Sequence, residues 1–321
     1  MEILVLHPGA LGDIILALPA LAALRRHFER SLIVLGGNLD YLPFSAWGYA
    51  DRVLSLSTLP AHRLFAAGPL PDRDVAWWRA YDRVVSWTGA DHPEFTQRLT
   101  SIIPSALVSS WRPVPGDRRH VSRIFLESLH SWIGPPERIE PPAIRLCAEA
   151  MAGGRAWLKG AGWDCSRKLV ALHPGASAAP KRWPLASFAA AARALQACDG
   201  AGVVVLEGPA EAGLGSLVVR DLDAVKTILA KSLPLELLAA ILSCCSAYLG
   251  NDSGVSHLAA GLGLRTVVIF GPTPPEQWAP LGPEVRVLRD PGDCRACRLV
   301  EPEGHTCLGN ITCESVLENL R

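Results

Sequence analysis

A polar turn between two apolar runs has the residue types of an anion-binding site. Asp252 and Ser253 follow the apolar run 247–249, and apolar residues then recur at helical spacing as far as Gly263. This order of strand, turn and helix places backbone N–H groups at the carboxyl end of a strand, where phosphates bind in α/β sheets. His257 lies one helical turn further on. The same residues also fit a simple helix cap beside a core histidine.

A second loop carries a cation in a comparable place. The strand pattern KLVALH is followed by PGASAAPKRWP, which contains Ser177 and Lys181 and precedes a helix pattern. A lysine ammonium is a point charge suited to a diphosphate, and a serine hydroxyl can donate a further hydrogen bond. A solvated loop lysine is the alternative. Neither a G-x-G-x-x-G nor a G-x-x-x-x-G-K-[ST] motif is present, so the common dinucleotide and triphosphate signatures are absent.

The sequence LHPGA occurs twice, at 6–10 and at 172–176. At both places it ends a strand pattern and begins a loop before a helix, which predicts two similar α/β domains. Strands alternate with helices throughout, and this order predicts parallel, doubly wound sheets. The proline-rich stretch 134–142 reads as an interdomain linker. Two such sheets would form a cleft between the carboxyl ends of their strands.

The composition is that of a well-packed globular chain without bulk charge. Of its 321 residues 49% are hydrophobic, the mean hydropathy is +0.21, and 31 Lys and Arg balance 31 Asp and Glu. This excludes disorder and gives no electrostatic reason to expect a nucleic acid partner. No apolar run is long enough to span a bilayer, and the chain begins with a strand pattern instead of a signal peptide. With nine cysteines, these features predict a cytoplasmic protein with reduced thiols.

Three motifs together resemble one enzyme family. They are GALGDIILALPAL at 9–21, LHPGAS…KRWP within 172–184, and GNDSGVSHLAAGLGLRTVVIFGPT at 250–273. The chain resembles the glycosyltransferase family 9 heptosyltransferases of the ADP-heptose:lipopolysaccharide type. The resemblance implies a GT-B architecture, with two Rossmann-like doubly wound parallel-sheet domains facing across a cleft. It also implies inverting transfer of a heptose from ADP-heptose to the lipopolysaccharide inner core, with no cofactor required for catalysis.

The resemblance assigns domains and roles. We expect an acceptor domain at 1–145, a nucleotide-sugar domain at 146–310, and a C-terminal helix at 311–321 that returns to the first domain. Asp13 matches the catalytic base, and a carboxylate suits that role because it can take the proton of the attacking hydroxyl. A helix cap is the compatible alternative for Asp13. The donor-binding residues implied are Gly12, Ser177, Lys181, Glu211, Asp252, Ser253, Gly254 and His257.

Basic side chains in the first half offer a candidate acceptor surface. Arg63, Arg119 and Arg123 could contact the acidic, phosphorylated core of lipopolysaccharide, or could form a solvated face. Such an acceptor would place the protein at the inner face of the cytoplasmic membrane. Two rival functions remain open at this point: a related transferase with another nucleotide sugar or acceptor, and a non-catalytic nucleotide-sugar-binding protein.

Four cysteines near the end of the chain have spacings that suit a metal. They are Cys294, Cys297, Cys307 and Cys313. A C-x2-C pair is the usual half of a tetrahedral zinc site, and such a site would be structural. The second half is less regular than that of a zinc ribbon. Reduced structural thiols are therefore the alternative.

Overall fold

The computed structural model describes residues 1–42, 47–135, 138–163, 167–290 and 307–321. It consists of two compact units, Met1–Arg145 and Leu146–Arg321. None of the helices in these ranges is both long and apolar enough to cross a bilayer.

The first unit contains, in its described part, a five-stranded parallel sheet with helices between the strands. Its strands are β1 (Glu2–Leu6), β2 (Leu32–Gly37), β3 (Arg52–Ser55), β4 (Arg83–Ser86) and β5 (Leu107–Val108). Its helices are α1 (Leu11–His27), α2 (His62–Phe65), α3 (Asp72–Arg79), α4 (Pro93–Ile102), α5 (Val121–Ser128) and α6 (His130–Ile133). The strand order is β3-β2-β1-β4-β5, and every pairing is parallel.

The second unit contains a six-stranded sheet among its described residues, again with parallel pairing. Its strands are β6 (Leu169–His173), β7 (Gly202–Glu207), β8 (Thr227–Lys231), β9 (Ala247–Asn251), β10 (Arg265–Phe270) and β11 (Val285–Arg289). Its helices are α7 (Ala148–Gly160), α8 (Leu185–Cys198), α9 (Leu214–Val219), α10 (Leu235–Leu242), α11 (Gly254–Gly261), α12 (Pro275–Trp278) and α13 (Cys313–Leu320). The order is β11-β10-β9-β6-β7-β8.

The two LHPGA sequences occupy equivalent places. β1 lies between β2 and β4, and β6 lies between β7 and β9, so each is the first strand of its unit with its second and fourth strands beside it. The strand order reverses direction at these strands, and the carboxyl end of such a strand is where α/β sheets bind ligands. The predicted α/β class with a repeated parallel sheet is confirmed.

Helix α1 is buried on all sides over its middle part. Residues 14–21 are buried without interruption. The sequence predicts an amphipathic helix, whose polar face would have left some of these residues exposed. The basic residues predicted for its last turn are in place, and they suit the negative end of the helix dipole.

Helix α13 packs on the second unit. Val316 and Leu320 belong to the same buried cluster as Trp183. The indole N–H of Trp183 also donates to the carbonyl of Ile311 at 3.0 Å. The structure therefore corrects the prediction that segment 311–321 returns to the first domain, because its apolar side chains already complete the core of the second unit.

Candidate functional site

Asn251 joins the two loops that the sequence indicates as ligand-binding. Its side chain is fully buried at the end of β9. Its Oδ1 accepts the backbone N–H of Trp183 at 2.9 Å, and its Nδ2 donates to the carbonyl of Pro174 at 2.9 Å. One amide thus fixes both ends of the loop after β6 against the end of β9. The sequence motifs do not single out Asn251, although a polar residue at the end of a buried strand is a usable signal.

Lys181 and Asp252 form an ion pair in this site. Lys181 Nζ lies 2.6 Å from Asp252 Oδ2, and the side chains are 25% and 8% exposed. The alternative of a solvated loop lysine is therefore wrong. Both charged groups lose hydration here, so the pair is stable only because its surroundings hold the two groups in contact. The ammonium keeps two further N–H groups for another acceptor.

Helix α11 begins beside this pair. Ser253 is its N-cap residue, but the Ser253 side chain accepts no capping hydrogen bond. The predicted side-chain cap by Ser253 is therefore wrong, and the Asp252 carboxylate bonds to Lys181. The amides of Gly254 and Val255 are the first two of α11 and have no partner within the helix, so they carry the positive end of its dipole. The N–H of Ser256 donates to the carbonyl of Ser253 at 3.1 Å. His257 is buried within the same helix.

Two further predicted donor residues lie around the loop after β6. Ser177 is exposed in this loop. A methyl group at Gly175 would come within 2.8 Å of the carboxyl carbon of Glu211, so this carboxylate packs directly against the loop. A methyl group at Gly208 would come within 2.7 Å of Glu211 Oε2. The structure therefore brings Ser177, Lys181, Glu211 and the start of α11 to one edge of the second sheet.

Asp13 lies in the first turn of α1, in the equivalent place of the first unit. Its Oδ2 accepts the backbone N–H of Ala10 at 2.9 Å, so the carboxylate does act as a helix cap. Gly9 donates its N–H to Nδ1 of His7 at 3.0 Å, and a methyl group at Gly9 would lie 2.6 Å from Asp13 Cβ. Glycine is thus required for the close approach of this turn to the carboxylate. Gly12 precedes Asp13 in the helix and is half-buried.

His7 supports this turn as a neutral imidazole. Burial lowers the pKa of His7 to about 3, although backbone carbonyl groups oppose the shift. The ring lies 5.6 Å from the ring of Trp87 and 5.3 Å from that of Phe125, measured between centroids. A neutral ring whose Nδ1 accepts from Gly9 must carry its proton on Nε2. At physiological pH this hydrogen bond therefore does not titrate.

The arginines predicted to meet the acceptor are engaged with carboxylates. Arg63 Nε lies 3.0 Å from Asp74 Oδ2. Arg123 Nε lies 2.7 Å from Glu127 Oε1, and Arg119 also bonds to Glu127. The hydrogen bond from Arg123 does most to lower the pKa of Glu127. Arg119 and Arg123 thus belong to one cluster, whereas Arg63 has a partner of its own; acceptor binding by the three remains a prediction.

Two of the four cysteines of the predicted zinc site lie outside the described residues. Cys294 and Cys297 lie there, whereas Cys307 and Cys313 pack against the buried core of the second unit. Within the ranges that the structure describes, no group of three or more His, Cys, Asp or Glu side chains could hold a metal ion. Burial raises the pKa of the Cys313 thiol, which favours its protonated form. Zinc binding by these four cysteines stays a prediction.

The fold is shared with solved structures over nearly the whole chain. The Escherichia coli structure of ADP-heptose lps heptosyltransferase II matches with a TM-score of 0.77 at 20% identity. The match covers 100% of this chain and 97% of that chain. A glycosyl transferase family 9 structure from Veillonella parvula DSM 2008 matches with a TM-score of 0.80 at 22% identity, and the match covers 99% of this chain and 95% of that chain. The fold class is that of GT-B proteins, in which each of two units has a Rossmann-like parallel sheet.

The family follows from sequence comparison. The model of glycosyltransferase family 9 (heptosyltransferase) matches residues 106–304, more than half of the chain. The chain therefore belongs to glycosyltransferase family 9. Lipopolysaccharide heptosyltransferase 2 of Escherichia coli (strain K12) is 35% identical over 162 residues, which cover 48% of this chain and 46% of that protein. The match thus spans about half the length of the curated relative.

Proposed function

We propose that this chain is an inverting glycosyltransferase that moves a heptose from ADP-heptose to the inner core of lipopolysaccharide. The observation that carries the proposal is the Lys181–Asp252 pair at the start of α11, where a diphosphate would meet an ammonium and helix amides together. The family membership supports the transferase class. The ADP-heptose donor is proposed because the similar Escherichia coli structure carries that name.

The donor diphosphate would be held from two sides. Lys181 donates to it with the N–H groups that Asp252 leaves available, and Ser177 adds a hydroxyl. The backbone amides at Ser253, Gly254 and Val255 contribute the positive end of the helix dipole, which favours an anion at this place. Glu211 binds the ribose, and His257 completes the donor site. These fixed donors stabilise the negative charge that grows on the departing ADP.

Asp13 would act as the general base. The acceptor hydroxyl oxygen attacks the anomeric carbon of the heptose, the bond from that carbon to the phosphate oxygen breaks, and ADP leaves. The hydroxyl proton passes to the Asp13 carboxylate, and the configuration at the anomeric carbon inverts. Arg63, Arg119 and Arg123 contact the phosphorylated acceptor, each sharing its charge with its present carboxylate partner. The acceptor lies at the inner face of the cytoplasmic membrane, and the protein binds there peripherally.

Calorimetric binding of ADP, UDP, GDP and NAD tests the donor site. Because one charge-assisted hydrogen bond is worth about 1.5–3 kcal/mol, Lys181→Ala should weaken ADP binding about 10- to 100-fold. Lys226→Ala is the matched control, since Lys226 lies 3.7 Å from a carboxylate oxygen of Asp223 at the start of β8, away from the loops of the donor site. Equal ADP affinity in the Lys181 and Lys226 variants would remove the assignment of Lys181.

A transfer assay with ADP-heptose separates the rival functions. Asp13→Asn keeps an acceptor for the Ala10 N–H, so it should fold normally while transfer falls by about 10²- to 10⁴-fold. Full transfer by Asp13→Asn would show that Asp13 is not the base. ADP binding without any transfer by the wild type would favour a non-catalytic nucleotide-sugar-binding protein, and selective UDP or GDP binding would favour a related transferase.

A further inference from the structure

The hydroxyl of Ser253 accepts no hydrogen bond from the amides of the helix that it precedes. A serine at the N-cap usually accepts an amide N–H of the first turn. Here Ser253 Oγ instead lies 3.3 Å from Nδ1 of His173 and 3.3 Å from Oγ of Ser256. No capping hydrogen bond from this side chain is formed. The hydroxyl has therefore been drawn under the turn by its buried neighbours.

The neighbours form a chain of hydrogen bonds whose direction can be worked out. Ser256 Oγ donates its only proton to the carbonyl of Asn251 at 2.6 Å. The hydroxyl of Tyr248, 3.0 Å from Ser256 Oγ, must then donate to it. Burial raises the pKa of Tyr248, so this donor keeps its proton. Ser256 Oγ and His173 Nδ1 are both left to bond with Ser253.

A free Ser253 hydroxyl would compete with the ligand. A capping serine binds the amide of the second or third helical residue, here Val255 or Ser256, and the Ser256 N–H already donates to the carbonyl of Ser253 at 3.1 Å. The remaining amide, that of Val255, is one of those proposed to bind the donor diphosphate. A ligand would first have to displace the hydroxyl. Because His173 holds it inward, the amides stay available.

We propose that His173 is a positioning residue of the donor site: it holds the Ser253 hydroxyl beneath the turn and so keeps the first amides of α11 open for a diphosphate. This inference rests on the proposed donor site. His173 ends β6 and is 3% exposed, so its ring has little freedom to turn away. Burial lowers the pKa of His173 to about 4, which keeps the ring neutral at physiological pH.

A double-mutant cycle tests the proposal, with binding of ADP and of inorganic pyrophosphate measured by calorimetry. His173→Leu should weaken both ligands about fivefold, the value of one N-terminal cap. His173→Asn should restore most of the affinity, because its amide reaches the position of Nδ1. Adding Ser253→Ala to His173→Leu should also restore affinity, since the competing hydroxyl is then gone. Ser253→Ala alone closes the cycle, and a melting curve for each variant verifies folding.

The outcomes separate this inference from the proposed function. If His173→Leu binds like the wild type, or if the added Ser253→Ala weakens binding further, His173 has no such role, whatever nucleotide is bound. If pyrophosphate binding depends on His173 but ADP binds no more tightly than pyrophosphate, the inference holds and the proposed ADP-sugar donor is wrong. Binding of neither ligand by the wild type overturns both.

Discussion

Replacing Asn251 by alanine should uncouple the two loops of the proposed donor site. The substitution leaves the N–H of Trp183 and the carbonyl of Pro174 without the partners that now lie at 2.9 Å. Each buried polar group left without a partner costs about 1–3 kcal/mol, so the second unit should lose about 2–6 kcal/mol of stability. For a unit of this size the corresponding fall in melting temperature is on the order of 10 °C.

Calorimetric melting combined with amide hydrogen exchange measures this effect. The amide of Trp183 should lose most of its protection in Asn251→Ala, because the loop opens locally before the unit unfolds. Asn310→Ala is the matched control: the Asn310 amide is exposed and donates to Asp290 at 2.7 Å, so its loss should cost less than about 0.5 kcal/mol. Asn251→Asp can still accept from Trp183 but cannot donate to Pro174, and should destabilise as well. Wild-type melting and unchanged Trp183 protection in Asn251→Ala would refute the reasoning.

Two further predictions concern protons and metal. In the unfolded chain a histidine has a pKa of 6.5, whereas in the folded protein the pKa is about 3 for His7 and about 4 for His173. Below pH 6.5 the unfolded chain therefore binds protons that the folded protein does not, so stability should fall on acidification. At pH 5 each of these two histidines should lower the stability of its unit by about 2 kcal/mol. His7→Phe should flatten the pH dependence of the first unit's melting temperature. An unchanged pH dependence in this variant would contradict a buried neutral imidazole. A structural zinc on the cysteines predicted for it should remain near one equivalent in protein purified without added zinc, as measured by elemental analysis. Less than about a tenth of an equivalent, or no loss in Cys294→Ala, would leave these cysteines as reduced thiols.

The fold could be predicted well from local sequence patterns because the strands of parallel sheets have a strong hydrophobic pattern. β6, β7 and β10 are buried on both faces, so each appears as a continuous apolar run bounded by turn residues. The apolar residues of 225–229 predict a weaker strand there, whereas 224–226 form a short 3-10 turn and β8 begins at Thr227. β5 has only two residues, too few to be delimited by any periodicity.

The site was harder to predict because its side chains are paired over long sequence distances. Lys181 and Asp252 lie 71 positions apart, and Asn251 and Pro174 lie 77 apart. The motifs indicate Lys181 and Asp252 but do not show that the two side chains neutralise each other. Asn251 is not predicted, since an asparagine in a turn usually signals only the turn. Arg63 and Asp74 are close in sequence but lie on different helices, α2 and α3, so no helical spacing predicts their pairing.

The repeated LHPGA sequence gives the same strand-and-turn arrangement in both units, and this arrangement can support two different proposed functions. In each copy a buried histidine lies at the carboxyl end of the strand, and its Nδ1 bonds to a nearby turn: His7 to the N–H of Gly9, and His173 to the hydroxyl of Ser253. Both rings are kept neutral by burial, so neither support titrates near pH 7. What differs is the charged group that each turn supports. The first copy leads directly to the carboxylate of Asp13, whereas the second leads to the ammonium of Lys181, and a proposed base and a proposed diphosphate site require those opposite charges.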